Sequence, residues 1–150
     1  MNDKNEIEAF VLDMFTFLQS EFGFSDPIWR RDVWNTTISY LSKEIGIEIE
    51  LDWRDLDVFI LITKLDKGKL PRGYYVVNGR VCRLHLEEVL QNNLNVSKDE
   101  IHKSDKSINK KTLGRNKSYI LTKTARYQQL LYAYAKAICN AGDNLFKNDL

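Results

Sequence analysis

Cysteine, proline and histidine each occur only twice in the 150 residues, and glycine seven times. Cys82 and Cys139 are too few and too far apart for a disulfide framework, so the core must hold the fold, and a cytoplasmic setting with reduced thiols is expected. Cys82-x2-His85 supplies half the ligands of a closed zinc site, and His102 and Cys139 stand in no supporting motif. The same pair makes a poor nucleophile and base, because no oxyanion or orienting group accompanies it. Neither Gly-x-Gly-x-x-Gly nor Gly-x4-Gly-Lys-[Ser/Thr] is present, so no phosphate cradle is indicated. No apolar run approaches the roughly 20 residues that span a bilayer, and the polar N-terminus does not read as a signal peptide. No catalytic residue, metal or cofactor is assigned, and no membrane association is expected.

What is present is a strong pattern between Ile45 and Leu65. Ile45, Ile47, Ile49, Leu51 and Trp53 alternate with Gly46, Glu48, Glu50 and Asp52, the period of a half-buried strand. Arg54-Asp55 interrupts, and the apolar run Leu56 to Ile62 predicts a second strand covered on both faces. A strand over Trp34 to Tyr40, with Trp34, Thr36, Ile38 and Tyr40 inward, precedes this hairpin and makes a meander. Ile28 to Asp32, with two adjacent arginines, reads as loop. Asn78-Gly79 between Tyr74–Val77 and Arg80–Arg83 favours a type I′ turn and adds two strands, for about five in all.

Helical periodicity brackets the sheet. Ile7, Phe10, Val11, Met14, Phe17, Leu18 and Phe22 form an apolar stripe over Glu6 to Phe22, closed by Gly23. Leu84 to Leu94 reads as a short helix. Ser118 to Phe146 reads as a long one, with Tyr127, Leu130, Leu131, Tyr134, Ile138 and Leu145 on its stripe and Gly142 ending or bending it. Residues 96–118 are polar and lysine-rich and read as a loop. The expectation is a single α+β domain over residues 1–150: an N-terminal helix, an antiparallel meander sheet of about five strands, and C-terminal helices packed on the sheet.

Charge is unevenly spread. Residues 1–66 carry 14 Asp/Glu against 6 Lys/Arg, and residues 67–126 carry 14 Lys/Arg against 5 Asp/Glu. The halves either neutralise one another in the fold or serve different partners. Glu48, Glu50 and Asp52 share one strand face, which is either a solvated outer face or a docking surface for a basic protein. In the second case Trp53, Arg54 and Asp55 belong to it, with Trp53 and Arg54 as anchors. Lys98, Lys103, Lys106, Lys110, Lys111, Arg115, Lys117, Lys123 and Arg126, with Tyr119 and Tyr127 nearby, could follow a nucleic-acid backbone, but no recognition motif accompanies them.

Phe22-Gly23-Phe24, Tyr40-Leu41-Ser42 and Asp52-Trp53-Arg54-Asp55-Leu56-Asp57-Val58 together resemble small bacterial proteins related to the immunity proteins of polymorphic or contact-dependent toxins. The resemblance covers about the first half of the chain and implies a non-enzymatic protein-binding module whose partner is a toxin. Two other readings stay open: a dimer resembling a secretion chaperone that grips an extended client, and a nucleic-acid binder using the basic segment 98–126. The sequence fixes no oligomeric state.

Overall fold

The structure is a computed structural model that describes residues 3–71, 76–77, 80–94, 123–142 and 145. It is an α+β fold: an N-terminal helical segment, an open five-stranded antiparallel sheet, and C-terminal helices packed on one face of that sheet.

The N-terminal stripe forms α1 (Asp3–Met14) and α2 (Thr16–Ser20), broken at Phe15 where a single helix is expected from the sequence. Thr16 Oγ1 donates back to Leu12 O at 2.7 Å and Ser20 Oγ to Thr16 O at 3.4 Å. Such back-bonding hydroxyls bend helices, and the bend seats the Phe15 ring in the core. Gly23 takes φ +73° and lets Phe24 N reach Leu18 O at 2.9 Å, so the helix closes where its glycine stands.

Four strands follow: β1 (Ile28–Arg31), β2 (Asn35–Leu41), β3 (Ile45–Asp52) and β4 (Asp57–Lys64). A short hairpin, β5 (Val76–Val77) and β6 (Arg80–Val81), precedes β7 (Arg83–His85). The main sheet runs β1-β2-β3-β4-β7, all antiparallel. The main sheet has five strands, as expected, but two of them differ from those expected. The β5–β6 hairpin forms a separate two-stranded sheet, and the edges of the main sheet are β1 and β7. The β1 sequence Ile-Trp-Arg-Arg has no alternating apolar face because an edge strand needs none; only Trp29 is part-buried, with the Arg31 guanidinium 4.4 Å from its ring centroid.

Helix α3 (Leu86–Leu94) follows β7 directly, and α4 (Lys123–Ala141) ends at Gly142, whose φ is +52°. The helices cover one sheet face, whose cross-strand rows are Thr36–Leu51–Val58, Ile38–Ile49–Ile60 and Tyr40–Ile47–Ile62–Leu84. Ile7, Val11, Phe15 and Leu18 meet Tyr127, Leu130, Leu131 and Ile138 over these rows in one continuous core. Each such side chain contributes about 1.5–3 kcal/mol by burial. The lysine-rich loop expected at 96–118 lies outside the described residues.

The second sheet face corrects the expectation of a solvated row. Thr37, Ser39, Gly46, Glu48 and Thr63 on it are all buried. Gly46 makes part of this closure possible: a Cβ there would stand 3.0 Å from Leu41 Cδ2, 3.2 Å from Leu65 Cδ2 and 3.3 Å from Leu70 Cδ2. Loop leucines after β4 therefore close onto bare backbone.

Candidate functional site

Two turns meet at one end of the sheet. In the first, between β1 and β2, Asp32 N donates to Asn35 O at 2.8 Å and Trp34 O accepts from Trp53 N at 2.9 Å. Arg30 Nε stands 3.6 Å from Asp32 Oδ2. Between these fixed points Val33 is 76% exposed and Trp34 60% exposed. The sequence pattern placed Trp34 as the first inward residue of a strand; the structure puts it on the turn instead. Asp32 and Asn35, both turn-forming types, flank the pair and were the available signal.

The second turn, between β3 and β4, is built by Asp52. Its Oδ1 accepts from Arg54 N at 3.0 Å and from Asp55 N at 2.9 Å. Leu56 is forced to φ +55°, a left-handed conformation that side chains resist, and Arg126 Nε donates to its carbonyl at 2.8 Å. Tyr127 OH donates to Asp52 O. Arg54 and Asp55 project into solvent, and the Arg54 guanidinium lies 5.8 Å from the Trp34 ring centroid.

The six residues singled out as a partner surface are thus divided. Arg54 and Asp55 are exposed beside Val33 and Trp34. Trp53 turns to the helix side: its Nε1 donates to Thr36 Oγ1 at 3.0 Å, its ring meets Tyr127 edge-on at 5.3 Å, and Lys4 Nζ stands 5.6 Å from its centroid. It packs the hairpin down and does not serve as an open anchor. Glu48 is only 7% exposed. Arg83 grips it in fork geometry, Nε to Oε2 at 2.8 Å and Nη2 to Oε1 at 3.1 Å, while Thr63 Oγ1 donates to Oε2 at 3.0 Å. Pro71 O takes a further bond from Arg83 Nη2 at 3.0 Å. No local pattern points to Arg83, because the pair is made only when β7 joins the sheet.

Glu50 and Asp52 stay half-buried on the second face. Burial pushes the Glu50 carboxyl above its ordinary range; Arg30 opposes this, Asp52 and Glu48 reinforce it, and His85 opposes it. Directly across from Glu50 stands Thr37, and across from Asp52 stands Asn35. Thr37 Oγ1 and Asn35 Oδ1 are buried and have no hydrogen-bond partner among the described residues.

Cys82 is buried and is not in a disulfide, and His85 ends β7 with its ring 6.1 Å from Phe59. Among the described residues no three His, Cys, Asp or Glu are grouped to hold a metal ion. Lys98 to Lys117 and Tyr119 of the basic segment lie outside the described residues. Tyr127 is enclosed in the core, so its ring does not project for base stacking, and Arg126, half-buried, donates its Nε to the Leu56 carbonyl. Among the described residues no helix is long and apolar enough to cross a membrane. Comparison with protein-family models, with curated proteins and with solved structures finds no match to this chain.

Proposed function

We propose that this protein is a non-enzymatic protein-binding module of the immunity type, which neutralises a basic protein partner such as a toxin by covering its active surface. The observation that carries the reading is the exposed Val33-Trp34 pair, held rigid on a turn between hydrogen bonds to the neighbouring strand and the neighbouring turn. A tryptophan presented on fixed backbone loses little freedom on binding, and tryptophan and arginine dominate interface hot spots. Arg54 beside it and the carboxylates Asp52, Asp55 and Asp57 around it give the anchor a mostly acidic rim, which would steer a basic partner.

The test is co-expression with the products of the genes adjacent to this one, followed by co-purification. Capture of one such product, weakened about 100-fold by Trp34→Ala with the melting temperature unchanged, is the expected result. Failure to bind any adjacent product, or binding indifferent to Trp34→Ala, overturns the reading.

A further inference from the structure

On the second sheet face two carboxylates of β3 each have a threonine of a neighbouring strand beside them, and among the described residues only one of the two is paired. Glu48 has a threonine hydroxyl donating to it, from Thr63, and the forked guanidinium of Arg83. Two residues along the same strand and on the same face, Glu50 has Thr37 directly across from it. Among the described residues no guanidinium hydrogen-bonds to it. Arg30 on β1 stands across from Thr37 as Arg83 stands across from Thr63, but it acts on Glu50 through its charge alone: it is largely exposed, and its Nε lies 3.6 Å from Asp32 Oδ2. Among the described residues Glu50 makes no hydrogen bond or ion pair.

Unmet acceptors gather around this carboxylate. Thr37 is 7% exposed, and its Oγ1 is buried without a partner among the described residues. Asn35 Oδ1, two residues along the same face of β2, is likewise buried and unpartnered among the described residues. Asp52 and Asp57 lie in the Asn35 row, and each has one oxygen engaged with nearby backbone N–H groups. A buried polar group without a partner is unfavourable by about 1–3 kcal/mol; the Glu50 carboxylate and Asn35 Oδ1 only accept and the Thr37 hydroxyl can do either, so the group suits a ligand rich in N–H. Guanidinium has five donors in a plane and no acceptor. Phe59, across from Glu50 on β4 and half-buried, offers an aromatic neighbour on which such a plane can stack.

We propose that this row is a subsite for an arginine side chain of the protein partner, with the guanidinium forked onto Glu50, flanked by Thr37 and Asn35 and stacked on Phe59. The proposal rests on the protein-binding reading and adds the partner's chemistry: an arginine on the flank of whatever surface receives Trp34. The mainly acidic charge of residues 1–66 favours such a partner at longer range.

The test uses the full chain, isotopically labelled, titrated with capped Ala-Arg-Ala and, as comparators, capped Ala-Lys-Ala and capped Ala-citrulline-Ala. Saturable shifts of the Glu50 side-chain carboxyl and of the Thr37 and Asn35 amides are expected with the arginine peptide. Glu50→Gln and the isosteric Thr37→Val, with melting temperatures checked, should each weaken it about tenfold. Equal binding of the citrulline or lysine peptide, shifts confined to other residues, or indifference to Glu50→Gln overturns the proposal. Partner binding that survives Glu50→Gln also overturns it while leaving the module's function standing. Arginine-peptide binding without any protein partner keeps the subsite and rejects the module.

Discussion

The Glu48–Arg83 pair is the most consequential polar contact on the second sheet face. Both side chains are largely buried, and the carboxylate also receives Thr63. Arg83→Met leaves that carboxylate buried and unpaired and should lower stability by about 3–5 kcal/mol. The double variant Glu48→Leu/Arg83→Met should recover most of the loss, and urea midpoints of the single and double variants measure the coupling. Glu50 behaves in the opposite sense. Its folded pKa lies above its ordinary value of 4.5, so its contribution to stability is fully present below that pH and is lost as pH rises through the folded value. Glu50→Gln should therefore melt at a higher temperature than the parent at pH 7, and the two should converge below about pH 4, read by circular dichroism.

At the scale of elements, the β3–β4 turn depends on one carboxylate and not on its neighbour. Asp52→Ala removes the acceptor for two backbone N–H groups and should be destabilising by about 1–2 kcal/mol. Asp52→Asn keeps an oxygen in place and should recover most of this. Asp55→Ala, at an exposed position of the same turn, should stay within about 0.5 kcal/mol of the parent in the same denaturant titration. The alternation Ile45 to Asp52 made this hairpin legible because a period of two has few other solutions. Strand β1 was not legible: an edge strand is held by backbone pairing to β2 and by Arg31 reaching buried Glu8 at 3.2 Å, and neither leaves an apolar rhythm. The same reasoning applies to β7, three residues long.

At the scale of the whole molecule, two of the phenols enclosed among the described residues, Tyr40 and Tyr127, are each pushed up to about 12 by burial. The unfolded chain ionises them near 10.0, so the stability they hold is intact below that pH and falls as pH rises toward 12. Cooperative alkaline unfolding above pH 10.0 is expected, with phenolate absorbance appearing together with loss of ellipticity. Tyr40 OH has no hydrogen-bond partner among the described residues, so Tyr40→Phe should raise stability, by up to about 1 kcal/mol, and remove one late-titrating phenol.

The sequence by itself determined the α+β class, the β2–β3–β4 meander, the helix stop at Gly23 and the apolar stripes of α1 and α4. These follow from local periodicity and from backbone freedom at single glycines, which each short stretch carries within itself. Only the tertiary structure decided what became of the acidic row. Glu48 met Arg83, 35 residues away in sequence, Trp53 turned in to pack on Tyr127, and Trp34 came out on the turn. Whether a charge is solvated, paired or left open depends on which distant strand arrives beside it. Alternation along one strand shows that two faces differ; it carries no record of what covers either of them.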